Sequence, residues 1–250
     1  MEGSGIDRGG TLADETKLYR YVGLSQFVSF VERKQTYLTR ITCWQDTWEA
    51  PAFQIPTQGL NGELKYSLRA RADDIFGQSW SLHSESDAMW RVYSPQEEGL
   101  VIQTTVRKFG LMSEIREGLL AEVIYFDDLE DTLDEIGDDP ENPPYNVALF
   151  KRKAFEYEAE VRLITLNHEI CLGKRYEACE RIYIALDPIE FVESITVDPR
   201  SKDWYVDTLR RYCARSGFSI TPRRSGLYSD GVFESTGLSY ELSPIGKTRE

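Results

Sequence analysis

Apolar positions along the chain switch between a period of two and a period near 3.6, and the switches divide it into elements. Residues 18–22 alternate as a short strand closed by Gly23. Leu24, Phe27, Val28 and Val31 then fall at i, i+3, i+4 and i+7, the stripe of a helix that Ser25 can cap. Residues 37–42 read as a second strand, so the chain opens strand–helix–strand. A short strand is expected over 79–82, a helix from the Ser84-x-x-Asp87 capping pair to Tyr93, and a strand over 100–106. The pattern then predicts a helix over 111–120, a strand over 123–126 and a helix over 147–155. Val161, Leu163, Ile164 and Thr165 place a strand over 158–165, with further strands over 182–184 and 195–197. Ser201 can cap a helix whose inner side is Trp204, Val206, Leu209 and Tyr212; Gly217 ends it, and 218–220 gives a closing strand. Helices and strands do not alternate strictly. The expectation is an α+β fold, mixed sheets with packed helices.

Punctuation sets the limits of that domain. Residues 1–15, rich in Gly, Asp and Glu, read as a loose leader. Residues 43–64 carry Pro51, Pro56, Gly59 and Gly62 and read as loop, yet Trp44, Trp48 and Phe53 are large for a surface loop, so this segment is expected to fold over something. An acidic insertion spans 127–144, where Asp127, Asp128, Glu130, Asp131, Asp134, Glu135, Asp138, Asp139 and Glu141 accompany Gly137 and three prolines. A single domain over 16–228 is expected, with a peripheral segment over 229–250. No internal repeat is visible.

Composition narrows the function classes. With 41% hydrophobic residues in a chain of 250, a sizeable core is affordable. A net charge of −13 disfavours general duplex binding, although the acidic run supplies much of it and a local basic site remains compatible. Cys43, Cys171, Cys179 and Cys213 form no CxxC pair, and His83 and His168 are too few and scattered for zinc, so no metal site is expected. The first residues have no apolar core of a secretory signal and no window is long and apolar enough to span a bilayer, giving the expectation of a soluble, cytoplasmic protein. No Gly-rich phosphate loop of the GxGxxG or GxxxxGK type is present, which argues against Rossmann and P-loop nucleotide sites.

The chemistry concentrates at Glu158-Ala159-Glu160-Val161-Arg162. On a strand Glu158, Glu160 and Arg162 would share one face and Ala159, Val161 and Leu163 the other. Two carboxylates and a guanidinium so placed must be solvated, mutually paired or used in chemistry. A solvent-facing salt bridge is the plain account of such a strand.

The company of this motif resembles two families. Leu-Tyr-Arg-Tyr at 18–21 before a helix, Met-Trp-Arg-Val-Tyr at 89–93 and Glu-Ala-Glu-Val-Arg at 158–162 are similar to an uncharacterised bacterial family, domain of unknown function family 2971. That resemblance runs from about residue 18 to 228. More distantly, Arg20, Ser81 and Glu158-Ala159-Glu160 resemble, in that order, the R-S-E group of the ADP-ribosyltransferase superfamily, which places an Arg on its first strand, a Ser on a central strand and a Glu-x-Glu on a later one. Here Ser81 lies in Trp-Ser-Leu where that group has Ser-Thr-Ser. The resemblance implies an ADP-ribosyltransferase-like fold, NAD as substrate and Glu160 as the catalytic carboxylate.

Breaking the nicotinamide–ribose bond passes through an oxocarbenium-like state, as glycoside cleavage does. A fixed carboxylate stabilises the developing charge, the role implied for Glu160. Glu158 would orient or deprotonate the acceptor, and Arg20 would pair with the pyrophosphate or ribose region. Tyr93 or Trp90 would stack on the nicotinamide ring. Each has a duller account: Arg20 snorkelling from a core edge, Ser81 structural, Trp90 and Tyr93 core packing, Lys151, Arg152 and Lys153 a solvated helix face, His83 a lone histidine. The acceptor stays open between water, giving an NAD glycohydrolase, a protein, and a nucleic-acid base stacked on Trp44, Trp48 or Trp80. The alternatives are a non-catalytic nucleotide- or protein-binding module of the same fold, or an interaction protein in bacterial defence.

Overall fold

Two strands with the alternation described above, one opening the chain and one carrying the paired glutamates, sit near the middle of a ten-stranded mixed sheet. The computed structural model describes residues 5–44, 57–58, 64–65, 73–128, 146–177 and 179–229. In chain order the strands are β1 (Ile6–Arg8), β2 (Lys17–Gly23), β3 (Gln35–Arg40), β4 (Thr57–Gln58), β5 (Leu64–Lys65), β6 (Ile75–Ser81) and β7 (Gly99–Thr105). They continue with β8 (Gly118–Glu122), β9 (Ile124–Phe126), β10 (Phe150–Arg152), β11 (Glu160–Leu166), β12 (Arg181–Ala185), β13 (Ser194–Val197) and β14 (Arg223–Arg224). The order across the main sheet is β1-β8-β11-β6-β2-β7-β13-β14, and β3 joins it between β6 and β12. The longer helices are α1 (Leu24–Arg33), α2 (Asp87–Tyr93) and α3 (Asp203–Arg215). The fold class is the expected α+β.

The opening strand–helix–strand stands as β2, α1 and β3. The helix begins two residues earlier than a Ser25 cap implies: Gly23 is its N-cap, and Gln26 Oε1 accepts the Gly23 N–H at 3.2 Å. Phe27 and Val31 are its buried stripe, each contributing about 1.5–3 kcal/mol of apolar burial. Behind β6, Trp80, Phe109 and Phe191 meet edge to face with ring centroids 5.3, 5.7 and 5.6 Å apart, the aromatic heart of the core.

Several expectations are corrected. The helix over 111–120 is absent: Val106–Leu111 is a 3₁₀ segment, and Gly118–Glu122 is a strand bonded to β11. Gly118 is a poor helix residue, and an added Cβ there would lie 2.9 Å from the Ile164 carbonyl oxygen, so it belongs where two strands approach closely. The helix over 147–155 is replaced by the 3₁₀ segment Asn146–Leu149, β10 and a second 3₁₀ segment, Lys153–Glu158. Residues 1–15 are not uniformly loose, since β1 pairs in parallel with β8. No strand forms over 218–220; β14 follows at Arg223–Arg224 and pairs with β13. On α3 the buried side is Tyr205, Val206, Leu209 and Cys213, so the stripe is rotated by one residue at both ends and Trp204 is 61% exposed. Lys202, not Ser201, is its N-cap, and the Ser201 hydroxyl donates instead to the Glu97 carbonyl. Trp48 and Phe53, and the acidic insertion beyond Asp128, lie outside the described residues. Among the described residues no helix is long and apolar enough to cross a membrane.

One feature of the sheet opens a cleft. β6 changes partner along its length: Phe76 and Gly77 pair with Arg40 and Thr39 of β3, while Ser81 alone pairs with Tyr19 of β2. Between those contacts, along Gln78, Ser79 and Trp80, β2 and β3 diverge and the sheet opens.

Candidate active site

The opening is a cleft of about 300 Å³ walled by β6 from Gly77 to Ser81, by Tyr19, Arg20 and Tyr21 of β2, by Tyr37 and Thr39 of β3, and by Tyr93, Glu158 and Glu160. That volume is at the small end for ligand pockets, which run from roughly 300 to 1,000 Å³. Arg20, Ser81, Tyr93, Glu158 and Glu160 therefore come together as expected. Trp90 does not: it is fully buried beneath the cleft, edge-on to Tyr21 at 4.9 Å, and holds that ring rather than a ligand.

The two glutamates reach the site by different routes. Glu160 opens β11 in register with Ser81, so Tyr19, Ser81 and Glu160 form one row across three neighbouring strands. Glu158 is not on the strand. It ends the 3₁₀ segment, and Ala159 follows in the left-handed region at φ 41°, turning the chain before β11 begins. The shared face predicted for Glu158 and Glu160 is thus achieved by a turn and not by alternation.

What joins them is Lys151, buried on β10. Its Nζ donates to Glu158 Oε2 at 2.6 Å and to Glu160 Oε2 at 2.8 Å, and lies 5.0 Å from the centroid of Phe155. Arg162, also fully buried, donates through Nε to Glu160 Oε1 at 2.9 Å and through Nη2 to Oε2 at 3.2 Å, while Nη1 reaches the Ala148 carbonyl at 2.6 Å. Among the described residues two cations face two carboxylates, the condition under which buried charges are tolerated. Lys151 was expected on a solvated helix face and is instead the centre of the network. The signal that could have found it is the apolar stretch Val147-Ala148-Leu149-Phe150 running directly into it.

Burial alone would raise the pKa of Glu160, but the Arg162 and Lys151 charges outweigh it and hold the carboxyl at about 2, against an ordinary 4.5. Glu160 is therefore an anion at neutral pH. Carboxylate oxygens offer about four acceptor positions, and among the described residues Arg162 and Lys151 take three of them. The Tyr93 hydroxyl donates to Glu158 Oε1 at 3.0 Å, and burial, reinforced by the Glu158 charge, pushes its phenol above the usual range, so Tyr93 is a donor here and not a base. Tyr125, pushed up to about 12 chiefly by burial, accepts the Glu160 backbone N–H at 2.8 Å. The Ser81 hydroxyl is committed: it donates to the Glu158 carbonyl at 2.6 Å and accepts the His83 N–H at 3.0 Å. It braces the turn that presents Glu158.

Arg20 is one step out of the Tyr19–Ser81–Glu160 row and sends its guanidinium through the split, 5.0 Å from the Tyr37 ring centroid and 5.9 Å from that of Trp80. Among the described residues no carboxylate is within ion-pair distance of it. Desolvation lowers its pKa, offset in part by Tyr37. Among the described residues no group of His, Cys, Asp and Glu is placed to hold a metal ion.

Trp44 closes the far side, its ring 4.6 Å from the Arg162 guanidinium and in contact with the bare backbone of Gly77. A Cβ on Gly77 would lie 2.8 Å from the indole. Gly77→Ala is therefore expected to push Trp44 off Arg162 and cost about 1–2 kcal/mol. The shift would be read as a lower urea midpoint with a changed tryptophan emission; an unchanged midpoint and spectrum would mean the indole has room to spare.

Residues 89–163 match the family model described as "Protein of unknown function (DUF2971)", a stretch that runs from within α2 past the paired glutamates. No curated protein matches the chain. Among solved structures the chain is similar to Thermus sp. 2.9 DarT in complex with NAD+, at 10% identity and a TM-score of 0.41, over 86% of this chain and 98% of that one. It is similar also to the same protein in complex with ADP-ribosylated single-stranded DNA, at 11% identity and a TM-score of 0.39, over 86% of this chain and 95% of that one.

Proposed function

We propose that the chain cleaves the nicotinamide–ribose bond of NAD, transferring ADP-ribose to an acceptor or to water, with Glu160 as the carboxylate that stabilises the transition state. The observation that carries this reading is a buried carboxylate, ionised at neutral pH, lining a cleft that also presents a guanidinium without an acidic partner among the described residues. In the reaction the C–N bond breaks with its electron pair leaving on nicotinamide, and positive charge develops on the ribose. Glu160, fixed by Arg162 and Lys151, faces that charge without reorganising. Glu158 takes the proton of the attacking hydroxyl or water, held in place by Lys151 and Tyr93. Arg20 binds the pyrophosphate and Tyr93 flanks the nicotinamide; Ser81 positions Glu158 through its backbone. NAD is a substrate in this account, and the acceptor is water or a group of a protein or nucleic acid.

The test is nicotinamide release from NAD by wild type and Glu160→Gln, each shown folded by circular dichroism at low temperature. Wild type is expected to release nicotinamide and the variant to be slower in kcat by about 100-fold, the usual loss of one electrostatic stabiliser. No release by wild type with any acceptor, or equal rates from the two folded proteins, would overturn the proposal.

A second reading is a binding module that does not turn over. The full commitment of the Ser81 hydroxyl and the three-fold pairing of Glu160 favour it, since both are what a purely structural network requires. In that case NAD raises the melting temperature without product.

A further inference from the structure

Beyond Arg20 the split leads into a second hollow of about 160 Å³, between α1, β3 and the sheet. It shares Arg20, Gln26, Tyr37, Trp80 and Arg181 with the main cleft. Its floor is apolar: Val22, Phe27, Phe30, Trp80, Ile102 and Phe191. A hollow of this size has a known scale, because a cavity of about 150 Å³ lined by aliphatic and aromatic side chains takes up benzene.

Its mouth is not apolar. Arg20 and Arg181 both lie against the Tyr37 ring, with guanidinium carbons 5.0 and 4.9 Å from its centroid. Neither has a carboxylate within ion-pair distance among the described residues. Two guanidiniums brought together repel, and aromatic faces offset that only in part, by about 0.5–2 kcal/mol each. An anion between them would turn that repulsion into two charge-assisted, fork-shaped hydrogen-bonding sites.

We infer that this hollow is a binding site for a small aromatic monocarboxylate, its ring on the floor formed by Phe27, Phe30 and Phe191 and its carboxylate between Arg20 and Arg181. The inference needs no catalysis and assigns no role to Glu158 or Glu160, but it shares Arg20 with the NAD reading, so the two ligands would compete for that guanidinium. The volume sets the ring at one six-membered cycle, and the paired guanidiniums set the head group as an anion rather than an amide.

Binding of benzoate to the full chain, followed by calorimetry without NAD, tests it. One saturable site is expected for benzoate. Benzamide, the same ring without charge, and acetate, the same charge without ring, should each bind at least about tenfold more weakly, the size of one lost charge-assisted contact or one unburied ring. 1-Naphthoate, too large for the hollow, should be excluded to a similar degree. Arg181→Gln, at an exposed position where folding is not at risk, should weaken benzoate about tenfold and leave benzamide unchanged. Absence of saturable benzoate binding to folded wild type, equal affinity for benzoate and benzamide, or an Arg181→Gln protein that binds benzoate as wild type does would each overturn the inference. Benzoate affinity measured without NAD and nicotinamide release measured without benzoate are separate readouts, so the two proposals fail separately.

Discussion

Lys151→Met is expected to lower the unfolding free energy by about 3–5 kcal/mol, the penalty for breaking a buried charge network from one side. The reason is the arithmetic of charge. Lys151 and Arg162 face Glu158 and Glu160, and all four side chains are almost without solvent contact. Among the described residues, removing the lysine leaves two carboxylates against one guanidinium, which bonds Glu160, and Glu158 keeps only the Tyr93 hydroxyl of its two named partners. A methionine fills the space of the lysine stem, so packing changes little and the loss is electrostatic. Adding Glu158→Gln to Lys151→Met removes the carboxylate that the lysine had paired and is expected to recover a good part of the loss. Urea unfolding of the two single variants and the double variant gives the coupling directly. Strict additivity of the two changes would sink the network account.

Acid is expected to weaken the wild-type fold by about 3 kcal/mol through Glu160 alone, the free-energy equivalent of a pKa held at about 2 against an ordinary 4.5. The folded state prefers the charged carboxyl, so it binds that proton less readily than the unfolded chain. Stability from this group is present in full above the unfolded value, near pH 4.5, and drains away as the pH falls toward 2. Other carboxylates contribute over the same range, among them Asp198 beside Arg200. Comparison with Glu160→Gln isolates the one group, since the variant keeps the rest. The stability difference between the two proteins should be large at pH 7 and shrink toward pH 2; a difference constant across that range would refute the assignment. The same burial means that Glu160→Gln carries a stability cost of its own, contrary to what an exposed strand glutamate would show, which is why its kinetics are to be read on folded protein.

The legible parts of the sequence were those where one local pattern decides one local structure. The stripe of α1 and the alternation of β2 are such cases, and so is Glu160 on β11. Where a residue's place depends on distant chain, the sequence misled. Lys151-Arg152-Lys153 has the look of a solvated charge run, and only β11 and the turn at Ala159 make the first of the three a buried ion. The left-handed turn at Ala159 has no local signal at all, because neither glycine nor asparagine stands there. Residues 118–122 became a strand because β11 offers them a partner, a tertiary choice that overrides helical spacing. On α3 the size of Trp204 drew the predicted stripe toward it, whereas the packing selects Tyr205 and Cys213. Trp90 is the reverse case, a motif residue buried for packing and not for chemistry.

The single rung between Tyr19 and Ser81 has a mechanical meaning. On one side of it stand β2, β7, β13 and β14; on the other stand β6, β11, β8, β1, β3 and β12. Across that seam side chains do what the backbone does not: Trp80 of β6 packs on Phe109 and Phe191 from the other group, and Arg20 of β2 reaches the Trp80 and Tyr37 rings, so the join is made of rings and a guanidinium rather than of ladder bonds.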